Sequence, residues 1–226
     1  MDPHLKTKAL ASLGVLPTVF AALLFPPAGT LHYWQAWLFL GVFWAATTLS
    51  TLSLIKNDPA LLERRMKSGP TAEKRGAQKL IMWCASVLFV AMVIVSGLDH
   101  RLGWSHMSVA WALVGNCMIA IGFVVVHLVF KENSFASATI EISDGQKVIS
   151  TGPYSLVRHP MYSGALVLLL GIPLALGSLW AVVVFAPLLP VLIWRIIDEE
   201  KLLNNELAGY TEYCTRVRHR LVPWLY

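Results

Sequence analysis

Leu80-IMWCASVLFVAMVIVSG-Leu98 decides the architecture. The stretch holds no charged residue, and a helix of this length reaches across a bilayer core of about 30 Å. Similar runs lie on either side, from about Ala9 to Phe25, Trp34 to Ile55 and Ser108 to Phe130. Pro17 interrupts the first, which is tolerable where a neighbouring helix satisfies the freed carbonyl. After Met161 the pattern loosens. Met161 to Gly177 is apolar but short, Gly177-Ser178 breaks it, and Leu179 to Ile197 is apolar again with Pro187 and Pro190 inside. This reads as a tight helical hairpin that returns the chain to the side it left. The fold expected is all-α, a polytopic transmembrane helical bundle of four clear spans plus a C-terminal hairpin with a cytosolic pocket.

Composition agrees. Hydrophobic residues make up 56% of the 226 and charged residues 14%, against about 25% charged in soluble domains. The net charge of +5 would raise nucleic acid as a partner in a soluble protein. Here the basic residues sit between apolar spans, which points instead to a membrane face attracted to anionic lipid and excludes nucleic acid as a partner. The loop from Lys56 to Lys79 carries seven Lys and Arg, whereas Arg101 is the one basic residue on the opposite side. The positive-inside bias therefore puts both termini in the cytosol, in a multi-pass membrane protein. Trp34, Trp37 and Trp104 fall at the outer interface as an aromatic belt. Lys6 and Lys8 before an apolar run faintly resemble a signal peptide. No small-residue cleavage site follows, so the run is read as the first anchor. Residues 1–130 form the expected N-terminal membrane part and 131–226 the chemical core, in one structural domain.

Cys84, Cys117 and Cys214 are far apart and form neither a zinc nor a redox motif, so no metal is expected. No GxGxxG, P-loop, HExxH or GxSxG occurs. Polar residues concentrate instead in two segments. In Thr151-GPYSLVRHPMYS-Gly164, Pro160 is suited to open a helix. That places Arg158 and His159 at a helix N-terminus, where a cation is disfavoured and an anion welcome. An anionic ligand group, or a snorkelling Arg-His pair, explains them. In Trp194-RIIDE-Glu200, Arg195 ends an apolar helix and shares a face with Glu199 at i+4. The pair reads either as a plain ion pair at the membrane exit or as part of a site. Asp198, Glu199 and Glu200 on a basic face suggest a partner bearing ammonium or sulfonium. In the fourth span Asn116 and His127 share a face. Asn116 reads as interhelical glue, and an intramembrane His127 as either a packing residue or a functional group.

The segments Gly152-Pro-Tyr-x-x-Val-Arg-His-Pro-Met-Tyr-x-Gly164, Asp198-Glu-Glu-x-x-Leu203 and Gly209-Tyr-x-x-Tyr-x-x-Arg-Val217 together resemble the isoprenylcysteine carboxyl methyltransferase family, which is grouped with the phospholipid N-methyltransferases. The resemblance covers roughly residues 131 to 226. It implies a small helical membrane enzyme holding S-adenosylmethionine in a cytosolic pocket. Tyr154 and His159 to Tyr162, with Pro160 and Met161 between, would line the cofactor. Gln146, Lys147, Val148 and Ile149 would contact it, partly by backbone. Glu199 would hold its methionyl or ribosyl end, with Arg158 and Glu200 beside it, and Arg195 would stand near the acceptor. The region from Lys131 to Gln146 departs from the eukaryotic pattern, as expected of bacterial members. A carboxylate or thiolate acceptor needs no base, whereas an amine or thiol must lose a proton, for which His127 or Glu132 is placed. The acceptor expected is lipidic or a small hydrophobe, an isoprenylcysteine-type carboxylate first. A phospholipid headgroup or small thiol is the alternative within the class. Outside it stand an NADPH-binding membrane reductase and a non-enzymatic membrane protein.

Overall fold

The computed structural model describes residues 3–223, so positions 1–2 and 224–226 of the two expected segments lie outside the described residues. All regular structure among those residues is helical: α1 (Pro3–Ala28), α2 (Trp34–Asn57), α3 (Pro59–Met66), α4 (Gly76–Leu102), α5 (Val109–Glu132), α6 (Pro160–Ala175), α7 (Leu179–Phe185), α8 (Leu188–Glu206) and α9 (Tyr210–Arg216), with one 3-10 turn at Gly152–Ser155. Five stretches are long and apolar enough to cross a membrane: α1, α2, α4, α5 and the α7–α8 run Leu179–Glu206. The chain is an integral membrane protein with a polytopic helical bundle.

The helices outrun the apolar cores that mark them. The third runs from Gly76 to Leu102 instead of Leu80 to Leu98, because backbone bonding continues into polar residues once the helix is nucleated. In α1 the carbonyl of Leu13, freed by Pro17, accepts a hydrogen bond from Trp44 Nε1 of α2 at 2.9 Å. The proline is thus repaired by a neighbouring helix. Short and partly polar, α3 carries no membrane signal. Asp58 caps it by accepting from Leu61 N, with Pro59 preset as its first residue.

The core between α1, α2 and α4 is aromatic. Phe20 meets Phe39, Phe43 and Phe89 with ring centroids 5.0–5.9 Å apart. Elsewhere the helices touch through backbone. A Cβ on Gly122 would lie 2.6 Å from Gly164 O, and one on Gly115 2.6 Å from Gly171 O. Two glycine pairs, one heptad apart on each helix, therefore let α5 and α6 pack antiparallel with their backbones in contact. Asn116 beside them bonds Ala112 O of its own helix rather than a neighbouring helix. It is not the interhelical glue expected from the sequence.

At 16 residues, α6 rises about 24 Å. Even so, it reaches the end of the bundle. Tyr33 Oη, at the α1–α2 turn, donates to Leu176 O at 2.6 Å. Ser178 Oγ donates to Asp99 Oδ2 near the α4–α5 turn. The Gly177-Ser178 break therefore sits level with the other two turns at that end, and the hairpin makes a full traverse. Its second arm continues through Pro187 and Pro190 into α8 as far as Glu206.

Candidate functional site

At the other end of the bundle the segment from Asn133 to Thr151, without regular structure, folds over the ends of α6 and α8. It encloses a cavity of about 120 Å³. Residues 146–149, Tyr154, residues 158–162, Arg195 and Glu199 all line it. The sequence-predicted residues His127, Glu132 and Glu200 do not. His127 lies half-buried on α5. Glu132 accepts from Thr151 Oγ1 at 2.7 Å and packs on Gly152, whose φ of +54° admits no side chain there without strain.

The RHP segment is built as the sequence implies, with Pro160 opening α6 and His159 at its cap. The anion its two basic residues face belongs to the chain itself. Glu200 Oε1 accepts from Arg158 Nε at 2.7 Å and lies 3.2 Å from His159 Nε2. Its other oxygen accepts from Arg220 Nε at 2.8 Å. An anionic ligand is not needed to explain Arg158 and His159. The tail crosses the same place: Arg158 N and His159 N donate to His219 O and Arg220 O, both at 2.9 Å. Ser163 Oγ donates to Leu221 O, and Tyr213 Oη to Tyr154 O at 2.7 Å.

The three consecutive acids divide. Successive helical residues point about 100° apart, so each meets a different neighbour. Asp198 takes Arg75 at 2.9 Å and Gln78 Nε2. Glu200 takes the cluster just described. Glu199 alone of the three faces the cavity, with one oxygen accepting from Tyr162 Oη at 2.6 Å. Arg195 does not pair with Glu199 as its i+4 spacing suggested. It is an almost completely engaged guanidinium, with Nε on Tyr162 Oη at 3.0 Å, Nη1 on Gln78 Oε1 at 2.8 Å and Nη2 on Ala138 O at 3.0 Å. Nη2 also lies 2.9 Å from Glu73 Oε1. That carboxylate's other oxygen accepts from Ile140 N. Glu73, Gln78 and Arg75 belong to a loop and helix end that sequence reasoning did not single out as part of a site. No sequence signal marked them, because their burial beside Arg195 arises only when distant segments pack together.

Several walls of the cavity are phenolic. Burial pushes the Tyr154 hydroxyl up to about 12, although a hydrogen bond from Asn133 Nδ2 at 2.8 Å works the other way. Burial also raises Tyr210 and Tyr213 above the ordinary phenol range. All three stay neutral, as donors and ring surfaces. The Tyr210 hydroxyl is buried beside the Cys214 thiol, to which it hydrogen-bonds. A half-free carboxylate and tyrosine walls suit a small ligand that carries both positive charge and hydroxyls. No group of three or more His, Cys, Asp or Glu that could hold a metal occurs among the described residues.

Comparison with known proteins bears on the same segment. Residues 110–208 match the phospholipid methyltransferase family model. The chain is 29% identical over 160 residues to a probable protein-S-isoprenylcysteine O-methyltransferase of Oryza sativa, covering 66% of this chain and 81% of that protein. It is 31% identical over 91 residues to the Delta(14)-sterol reductase TM7SF2 of Mus musculus, covering 39% of this chain but 22% of that protein's length. It is also 25% identical over 165 residues to the cobalt-zinc-cadmium resistance protein CzcN of Cupriavidus metallidurans, covering 73% of this chain and 70% of that protein. Through the segment that builds the cavity, the chain is thus similar to phospholipid methyltransferases and to isoprenylcysteine O-methyltransferases.

Proposed function

We propose that the chain is an S-adenosylmethionine-dependent methyltransferase whose cofactor occupies the cavity between residues 146–162 and Glu199, and whose acceptor is lipidic. The observation that carries the reading is the Glu199 carboxylate, with one oxygen fixed by Tyr162, turned into a cavity with neutral tyrosine walls. When bound, the cofactor supplies a sulfonium methyl for in-line displacement. Glu199 holds its ammonium or ribose end. Tyr154, Tyr162, Tyr210 and Tyr213 offer ring surface to the sulfonium. The chain from Asn133 to Ile149 covers the cavity and limits water. Glu200, Arg158 and His159 hold the wall in shape, with Glu200 outside the cavity. The pocket faces the cytosol, on the positive-inside count.

The likeness to the sterol reductase favours a second reading, a site for NADPH. The cofactor's 2′-phosphate would look for cations, and the cavity offers little. Arg158 is committed to Glu200, Arg195 to Glu73, and Lys147 is exposed. Calorimetric titration of the detergent-purified protein with S-adenosylmethionine, S-adenosylhomocysteine and NADPH decides between them. Binding of the first two is expected. Binding of NADPH alone would overturn the proposal.

A further inference from the structure

A second hollow, of about 670 Å³, opens between α4, α5, α6 and α8. Its long walls are apolar, from Ile81 to Val90 on α4, Phe123 on α5, Leu168 on α6 and Leu192 on α8. Ile81 to Val90 alone gives about 14 Å of helical rise. One end is polar and carries Arg65, Ser137, Tyr162 and Arg195. Ser137, Met161, Tyr162 and Arg195 also line the cavity proposed for the cofactor. The two spaces therefore share a neck.

Arg65 stands at that neck without a carboxylate partner among the described residues. Arg75, Arg158, Arg195 and Arg220 each lie within ion-pair distance of a carboxylate. Arg65 has none among the described residues. Its Nη1 donates to Ser137 O at 3.0 Å and contacts Met161 Sδ at 3.4 Å. Its guanidinium carbon lies 5.3 Å from the centre of the Phe130 ring. Nε and Nη2 make no hydrogen bond among the described residues. Burial pushes Arg65 below the ordinary arginine range, with Tyr162 working the other way. Held in place by Phe130 and Ser137, the group presents unused donors of a planar fork toward the groove. A fixed, partly desolvated cation without a counter-ion, at the mouth of an apolar groove, matches an amphiphile with an anionic head. The positions of His127 and Glu132 point the same way. Neither reaches the cavity, and an acceptor that reacts as an anion needs no general base.

We propose that Arg65 is a specificity-determining residue. It selects an acceptor whose carboxylate or phosphate head sits at the neck while its apolar chain lies in the groove between α4, α5, α6 and α8. The proposal rests on the methyl-transfer reading for its purpose, but its binding test stands apart from that reading.

The test uses the full chain in non-ionic detergent with a fluorescent long-chain carboxylate as probe, displaced in turn by dodecanoate, dodecyl phosphate, dodecanol and dodecylamine. For the wild type, the two anions should displace the probe at least about tenfold better than dodecanol. The stronger of the two identifies the head as carboxylate or phosphate. Arg65→Gln should bring the anions down to the alcohol, with dodecanol binding and S-adenosylhomocysteine affinity kept. Arg65→Lys, which retains the charge, should retain the preference and covers the case in which Arg65→Gln does not fold. Equal displacement by anions and alcohol in the wild type would overturn the proposal. So would dodecylamine as the strongest competitor. A folded Arg65→Gln that melts lower yet keeps the anion preference would show Arg65 to be a structural pin only. Failure of wild-type protein to bind S-adenosylhomocysteine would count against methyl transfer, whatever the anion result.

Discussion

Both ends of the bundle carry buried polar groups, but they use them differently. At the end with the short turns, Asp99 accepts from Ser105 N and Oγ, both at 2.7 Å, and from Ser178 Oγ. Ser178 in turn accepts from Ala181 N and caps α7. Tyr33 stacks on His100 at 3.9 Å while its hydroxyl is spent on Leu176 O. These contacts close on one another and hold three turns together. At the opposite end Asp198 and Glu200 are likewise consumed, yet Glu199 and Arg65 keep unused bonding capacity beside open space. Buried groups are normally satisfied. The contrast therefore separates polar residues that fasten helices from those available to a ligand, even where they are neighbours in sequence.

The largest effect expected from this contrast is at Glu200. Replacing it with Gln leaves Arg158, His159 and Arg220 around a neutral group, and breaking a buried pair costs about 3–5 kcal/mol. Glu200→Gln should sharply lower the melting temperature in detergent, or the yield of folded protein. A normal melting curve would show that the cluster does not hold the tail. Asp99→Asn comes next. It exchanges an acceptor for a donor in a saturated site, at about 1–3 kcal/mol. Stability should fall while S-adenosylhomocysteine affinity stays unchanged, and a change in affinity would mean that the two ends are coupled.

Glu199→Gln should do the reverse. At least a tenfold loss of S-adenosylhomocysteine affinity, about 1.4 kcal/mol, is expected with an unchanged melting temperature. If melting falls and affinity holds, Glu199 belongs with the fasteners. The smallest effect lies on the covering segment. The hydrogen bond from Lys74, at 2.7 Å, holds Glu141 below the usual carboxylate range. Because its folded value is the lower one, the stabilisation is present above about pH 4.5 and is lost as the pH falls through the folded value. Glu141→Gln should make melting slightly less sensitive to acid over that window. An identical acid profile would show the pair to be idle.

The spans were legible because lipid imposes length and apolarity on contiguous residues, as at Leu80–Leu98. The α5–α6 contact was not, since Gly115, Gly122, Gly164 and Gly171 carry no side chain and their pairing depends on how two distant helices dock. In the site, the sequence identified the segments but not how they divide the work. Asp198, Glu199 and Glu200 looked like one acidic feature, although helical geometry alone sends them in three directions. Arg195 looked like the partner of Glu199 because spacing along one helix is visible in sequence, whereas Glu73 and Gln78, which meet it, come from another part of the chain. Arg65 gave no signal at all: a basic residue in a basic loop is indistinguishable from a topology determinant until its missing counter-ion is seen.

The backbone bonds from Arg158 and His159 to His219 and Arg220 bear on how the protein is made. During synthesis, helices α1 to α6 can enter the membrane and dock their glycine faces before residues 217–221 have left the ribosome. The cavity wall at His159 cannot be completed in that interval, because its partners have not yet emerged. Glu200 emerges ahead of Arg220, and until Arg220 follows it faces Arg158 and His159 alone. Insertion and maturation of the site are thus separate events, and the second waits for the tail to fold back over the RHP segment.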